Sequence, residues 1–422
     1  MSYEKRFLRP SVASIIEKKN RRKVANLDKT LEDIRVLDFS RFGAGPYCAA
    51  LMADLGAEVV RVENPGGAVD RIFGAIDPNG ESLVYKATGR NKKGITLNLS
   101  SPRADDILRA LVQRYDVVIH NLPPGRRDGE KLSYTELNKI NPRVIVGAIS
   151  GFGQSGPNAS RVSFDTTAQA MSGGMWIQGF PANPPSVTAI RHVDYSAGAI
   201  LAFSILSAIY YRQRTGKGQM IDVALCDVAV NFVQNIGALM LYKIYGEIRE
   251  CVGNFGFGAY MDCCKAKDGW VYIAPVGDIQ WNKFTKIIGK EDMGSDPRFR
   301  NDMTRWENRL YIHEVVSQWV ADKTIDEVIE ILDRARVAVS RVNTVAEMME
   351  DPTIKVREMI VNVDHPGLGG IPIPGVVPKL SETPGRVEKR APMVGEHNEE
   401  IYCNILGFDK EYVSRLSNEG TI

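Results

Sequence analysis

The stretch IRVLDFSRFGAGPYCAALMADLGAEVVRV, residues 34–62, decides the fold. Ile34 to Phe39 is a short apolar run of strand type. Gly43-Ala-Gly-Pro46 turns the chain, and Pro46 stands in the first turn of a helix, where a missing N–H costs nothing. Ala49, Ala50, Met52, Ala53 and Leu55 give that helix an apolar face. Glu58 to Val62 reads as a second strand. The alternation continues with a short strand at Ile95 to Leu97 and a helix carrying Ile107, Leu108, Leu111 and Val112. Buried strands follow at Val117 to Ile119 and Val144 to Ile149. Strands alternating with helices imply a mainly parallel sheet covered on both faces.

Further along, Ala197 to Tyr211 is the longest apolar stretch. At about 15 residues it is short of the ~20 that cross a bilayer, so it reads as a buried helix. A polar turn at 212–219 precedes a strand at Met220 to Val223. Asp268-Gly269 signals a hairpin. Residues 280–335 look helical and amphipathic, and 360–395 are rich in Pro and Gly.

Composition narrows the class of function. In 422 residues, Lys and Arg number 53 against 51 Asp and Glu, a net charge of +2. Nucleic-acid binders usually carry a strong basic excess, so neither nucleic acid nor membrane is expected as a partner. Basic residues concentrate instead in an N-terminal extension, 1–30. Six cysteines do not make a disulfide framework, and the start lacks a secretory apolar core. A cytoplasmic protein is expected. The five histidines are scattered and there is no Cys-x-x-Cys, so no metal site is expected.

Three motifs carry chemistry. Gly43-Ala-Gly-Pro46 joins a strand to a helix, so free N–H groups and the helix dipole favour an anion there. Gly151-Phe-Gly-Gln-Ser-Gly156 matches G-x-G-x-x-G, but Pro157-Asn-Ala-Ser follows where a dinucleotide site needs an apolar helix. Asn254-Phe-Gly-Phe-Gly258 has the glycines of a mobile lid, with N–H groups suited to an oxyanion. Two aspartates, Asp165 and Asp194, border apolar segments. Asp194 precedes the Ala197 helix, where it fits either a helix cap or an ionised carboxylate nucleophile.

Taken in order, many short stretches resemble the family III CoA-transferases, a family shared with 2-methylacyl-CoA racemases. They include Arg35-Val-Leu-Asp-Phe-Ser, Ala44-Gly-Pro46, Ala53 to Glu63, Asp70-Arg71, Arg90-Asn-Lys-Lys93, Asn121-Leu-Pro-Pro-Gly125 and Asn141-Pro-Arg-Val-Ile145. Later come Phe164-Asp165 to Ala170, Asp194, Gly198, Thr215 to Gln219, Asp351-Pro352 and Gly395-Glu-His397. The resemblance implies an α/β fold. A large Rossmann-like domain, with a parallel sheet built from N- and C-terminal parts, would span 31–222 and 343–422. A small α+β domain would occupy 249–305, with linkers at 223–248 and 306–342. Ring-like protomers would interlock as a homodimer, or as a heterodimer with a homologous subunit.

The resemblance also assigns roles. Asp194 becomes the nucleophile, with Gly256 and Gly258 at the oxyanion. Coenzyme A, as acyl-CoA substrate and not as a prosthetic group, would meet Phe42, Gly43, Ala44, Asn91, Lys92, Asn121, Leu122, Arg126 and Arg127. Asp165, Phe255, Phe257, Arg161 and Arg191 would contact substrate: the rings favour a larger or aromatic acid, the arginines a dicarboxylate such as a succinyl donor. The implied reaction moves CoA from a donor acyl-CoA to a carboxylic acid through an aspartyl anhydride and an aspartyl-CoA thioester. A racemase would need two acid/base groups on opposite faces of an α-carbon, and no His lies between Asn121 and Phe164. A non-catalytic subunit of a heteromeric transferase is the other alternative.

Overall fold

The computed structural model describes residues 28–125 and 127–422. The basic extension therefore lies almost wholly outside the described residues, as does Arg126.

The opening stretch folds as read. Strand β1 (Arg35–Asp38) leads into helix α1 (Ala44–Asp54) and strand β2 (Glu58–Glu63). Next come β3 (Lys93–Thr96), α2 (Ala104–Val112), β4 (Val117–His120) and β5 (Ile145–Ser150). Then follow α3 (Asp165–Met171), α4 (His192–Thr215), β6 (Met220–Ala224), α5 (Leu225–Val233) and α6 (Ala238–Tyr245). The six strands form one parallel sheet in the order β3-β2-β1-β4-β5-β6.

Alternation along the strands feeds two cores. Val36, Val59, Val117, Ile119 and Ile145 face the layer made by α1, α4 and α5. Leu37, Val60, Val62, Val118 and Val146 face the opposite layer, with α2. Covering both faces explains why these strands read as nearly continuous apolar runs.

The sheet itself differs from expectation. All six strands lie between residues 35 and 224, so the C-terminal part adds no strand to it. That part covers the sheet instead. Ile401, Tyr402, Leu416 and Ile422 pack into the second core, Tyr402 Oη donates to Thr96 O at 2.6 Å, and His397 N donates to Gly94 O at 2.9 Å. The Pro/Gly-rich stretch holds an antiparallel hairpin, β10 (Ile360–His365) and β11 (Gly369–Pro374), which its composition did not announce.

A second unit has its own sheet. Strands β7 (Asp262–Ala266) and β8 (Gly269–Ala274) meet at the expected Asp268-Gly269 hairpin. Helices α7 (Asp278–Ile287), α8 (Arg309–Ala321) and α9 (Ile325–Arg334) cover it, and β9 (Ala338–Arg341) pairs with β8. Residues 306–342 are therefore not a bare linker. Ile312, Val316, Val320, Val328 and Leu332 share one buried cluster with Trp281 and Phe284.

Helix α4 is longer than its apolar stretch suggested. By length and composition alone it would cross a membrane, and half of its most apolar window is buried in the fold. Gly198 lets it approach α1: a Cβ there would lie 2.4 Å from Ala44 O.

Candidate active site

In the order 3-2-1-4-5-6 the strand sequence reverses between β1 and β4, and ligands of such sheets bind beyond the carboxyl ends of the strands at that point. A cavity of about 260 Å³ opens there, lined by the loops after β1, β4 and β5 and by Asp194. Phe42, Gly43, Ala44, Asn121, Leu122 and Arg161 line it as well. The fold thus brings together the three loop residues, the Asn-Leu pair and the proposed nucleophile, which the sequence separates by up to 150 residues or so.

The loop after β1 is held in an unusual conformation. Phe42 has φ +68°, a left-handed value rare for a residue with a side chain. Its N–H donates to Asp70 Oδ2 at 2.9 Å, and Asp70 Oδ1 takes a 2.6 Å bond from the buried Arg61. Asn121 grips the neighbouring residue, accepting Arg41 N–H at 3.0 Å and donating to Arg41 O at 2.8 Å. Gly43 then has no room for a side chain: a Cβ would sit 2.4 Å from Asp194 Oδ2.

Asp194 lies within the first turn of α4 and does not cap it. The N-cap is Arg191, without a side-chain bond, and Asp165 of α3 accepts the Asp194 N–H through Oδ2 at 2.9 Å while its other oxygen takes the Gln169 amide. Both Asp165 oxygens are thereby committed. The residue is buried at 2% exposure and lies outside the cavity lining, against the first turn of α4. Asp194 is 8% exposed. Burial, and secondarily the Asp165 charge, push its carboxyl up to about 6, with Arg191 offsetting part of the rise. A helix N-terminus favours the ionised form, and desolvation outweighs it here. A carboxylate with a value near 6 is still mostly ionised at pH 7, and more basic, hence more nucleophilic, than an exposed one.

Several other residues singled out in the sequence lie away from this cavity. Lys92 is fully buried, its ammonium spent on Asp38 Oδ2 and Pro46 O, each at 2.8 Å. Asn91 bonds Asp54 and Arg386 O and accepts two backbone N–H groups from Glu388 and Lys389. Both therefore brace the large unit and neither reaches the cavity. Arg127, itself exposed, opens a short helix off the lining. Arg191 sits over the Phe73 ring at 5.0 Å. Gly256, Gly258, Phe255 and Phe257 do not line the Asp194 cavity of the same chain. The Gly256 N–H is given to Met261 O at 3.1 Å, Phe257 lies beneath Arg249, and Phe255 faces a separate cleft.

Arg41 is the residue the sequence reading missed. It lines the cavity, and its buried Nε has no hydrogen-bond partner. A basic residue two positions before the Gly-x-Gly-Pro turn was the available signal. The Gly151 motif leads into a loop, with no helix until α3, so it lacks the geometry of a dinucleotide site. The histidines, scattered in sequence, are not all isolated in space: His313 lies beside Asp262 and Cys264.

A parallel α/β sheet with a buried carboxylate lining a cavity at its switch point has the layout of an α/β enzyme's ligand site. The chain belongs to CoA-transferase family III, whose family model matches residues 31–398. It is 34% identical over 397 residues to the succinyl-CoA–D-citramalate CoA-transferase of Chloroflexus aurantiacus, covering 93% of this chain and 98% of that protein. Over 398 residues it is 32% identical to the beta subunit of the succinyl-CoA–L-malate CoA-transferase of the same organism, covering 93% and 98%. The crystal structure of a CAIB/BAIF family protein from Brucella suis superposes with a TM-score of 0.79 at 30% identity, over 90% of this chain and 100% of that one. Family and relatives together support a CoA-transferase activity acting on CoA thioesters.

Proposed function

We propose that this chain moves CoA from a succinyl-CoA-type donor to a second carboxylic acid, with Asp194 as the covalent nucleophile. The observation that carries the reading is Asp194 itself, a nearly buried carboxylate lining the cavity against Gly43. Its oxygen attacks the thioester carbonyl, forming a mixed anhydride as the CoA thiolate leaves. The thiolate then attacks the aspartyl carbonyl and releases the donor acid, leaving an aspartyl-CoA thioester. The acceptor carboxylate reverses both steps. Water would hydrolyse either intermediate, so a dry site is needed.

The cavity has room for the thioester end of the substrate and not for its nucleotide. Arg41 and the α1 N-terminus offer the phosphates and carbonyl oxygens a positive edge. Arg161, which has no carboxylate within ion-pair distance among the described residues, suits the far carboxylate of a dicarboxylic acid. The succinate, malate and citramalate in the names of the relatives fit that preference.

An interlocked dimer would bring the 253–258 loop of one protomer to the Asp194 cavity of the other, which reconciles the loop's role with its distance from the cavity in one chain. The alpha and beta subunits among the relatives make a heteromer the alternative assembly, with this chain as a supporting subunit. The six free cysteines fit a reducing cytoplasm. A racemase is disfavoured because Asp165, the nearest second carboxylate, has both oxygens occupied.

The test is incubation of the purified chain with succinyl-CoA and a panel of dicarboxylic and aromatic acids, with hydroxylamine to trap the acyl-enzyme. New acyl-CoA and a hydroxamate on Asp194 are expected. Full transfer by Asp194→Ala would overturn the nucleophile. α-Proton exchange into a 2-methylacyl-CoA without an acceptor would favour the racemase, and activity only with an added homologous subunit the heteromer.

A further inference from the structure

The second sheet holds a cluster of a different kind. Asp262 and Cys264 lie two apart on β7, so their side chains leave the same face of the strand. That face packs on α8, which brings His313 opposite. A carboxylate oxygen of Asp262, the Cys264 sulfur and a ring nitrogen of His313 all lie within 4.8 Å of one another. His313 Nδ1 is 2.5 Å from Asp262 Oδ2, and Cys264 Sγ is 3.8 Å from the same oxygen. Ser317, one turn further along α8, has its Oγ 3.9 Å from that sulfur.

Two independent features mark this cluster as more than a core contact. The first is charge. The buried carboxylates Asp38, Asp54, Glu63, Asp70 and Asp77 each have a Lys or Arg partner. Asp262 is equally buried, yet its one ion-pair partner among the described residues is His313. Asp262 also accepts the Cys263 N–H at 2.7 Å and the Tyr260 hydroxyl at 3.4 Å, so what it lacks is the cationic partner that those five carboxylates have. The second is access. Asp262, His313 and Ser317 line a cleft of about 780 Å³, between walls that include Phe180, Phe255 and Trp270.

We propose that Asp262, Cys264 and His313 bind one zinc-type divalent cation, with the fourth coordination position open to the cleft. Mixed sulfur, nitrogen and oxygen donors are the set that zinc prefers over magnesium or calcium, and three protein ligands with one open position are the pattern of a reactive site. Burial and the Asp262 charge push the Cys264 thiol up to about 12. A cation between the two groups reverses the second cause, and binding releases the thiol proton to solvent. The Asp262–His313 contact has to widen to roughly 3 Å to admit the ion at zinc bond lengths. The His313 side chain, 42% exposed, can swing by that amount, whereas the two β7 ligands are fixed by the strand.

The test uses the full chain without a histidine tag, stripped with chelator and titrated with zinc(II) by calorimetry and with cobalt(II) by absorption. One equivalent per chain and a thiolate-to-cobalt charge-transfer band are expected. Cys264→Ser should abolish the band, and His313→Ala, at a half-exposed position that leaves the core intact, should weaken binding at least ~10-fold. Cys263→Ser should change neither, which separates this site from adventitious thiols. No stoichiometric binding at micromolar zinc, or binding unaltered by both ligand variants, would overturn the proposal.

Discussion

At the residue scale the Asp194 carboxyl is the most informative group. Its folded value of about 6 lies above the ordinary 3.8, so the fold favours the neutral acid and ionisation works against stability. The sign follows: this residue's contribution is most favourable below about pH 4 and is lost as pH rises through 6. Asp194→Asn removes that charge. The variant should lose transfer yet melt at a higher temperature at pH 7, with a gain of up to about 3 kcal/mol that vanishes near pH 4. Thermal melts across that range check it, and equal stability at both pH values would refute the burial argument. The wild-type rate should show an acidic limb centred near pH 6, since only the ionised form attacks. Gly43→Ala places a methyl group against Asp194 Oδ2, and the displacement should cost about 100-fold in kcat with little change in the melting temperature.

At the element scale, the α1–α4 crossing sets the distance between the α1 N-terminus and Asp194. Gly198 sits where α4 meets the backbone of Ala44 and Cys48. Gly198→Val should push the helices apart, costing roughly 1–3 kcal/mol and lowering kcat together with stability, unlike Gly43→Ala. The loop after β1 depends on a relay from Arg61 through Asp70 to the Phe42 N–H. Asp70→Ala leaves Arg61 buried without this partner, and breaking such a pair costs about 3–5 kcal/mol. Denaturant unfolding reads that loss, and KM for the CoA substrate should rise in whatever fraction stays folded.

At the scale of the whole molecule, apolar side chains remain uncovered in one chain. Phe203 and Tyr210 on α4 and Ile244 and Tyr245 on α6 are all more than half exposed. Exposed apolar side chains on these two helices favour association. A dimer burying them is expected in light scattering at micromolar concentration. Phe203→Glu with Tyr245→Glu should yield monomers that have lost transfer, if the catalytic loop comes from a second protomer. Full activity in a monomer would remove the interlocked arrangement.

The sequence by itself determined the alternating α/β architecture, the parallel sheet, the Asp268-Gly269 hairpin and the Gly43 turn, because each rests on local periodicity or on backbone preferences within a few residues. It also singled out Asp194, through resemblance and not through chemistry. Only the tertiary structure decided what surrounds each group. Lys92 is read as a coenzyme A contact, and the fold buries its ammonium on Asp38; Asp165 is read as a substrate contact, and the fold sets it to accept the Asp194 N–H. The rise of the Asp194 carboxyl comes from desolvation by residues far away in the chain, and the Asp262–His313 contact spans 51 residues. Local patterns encode which elements form. Burial, charge pairing and ligand geometry are sums over neighbours that only the folded chain brings together.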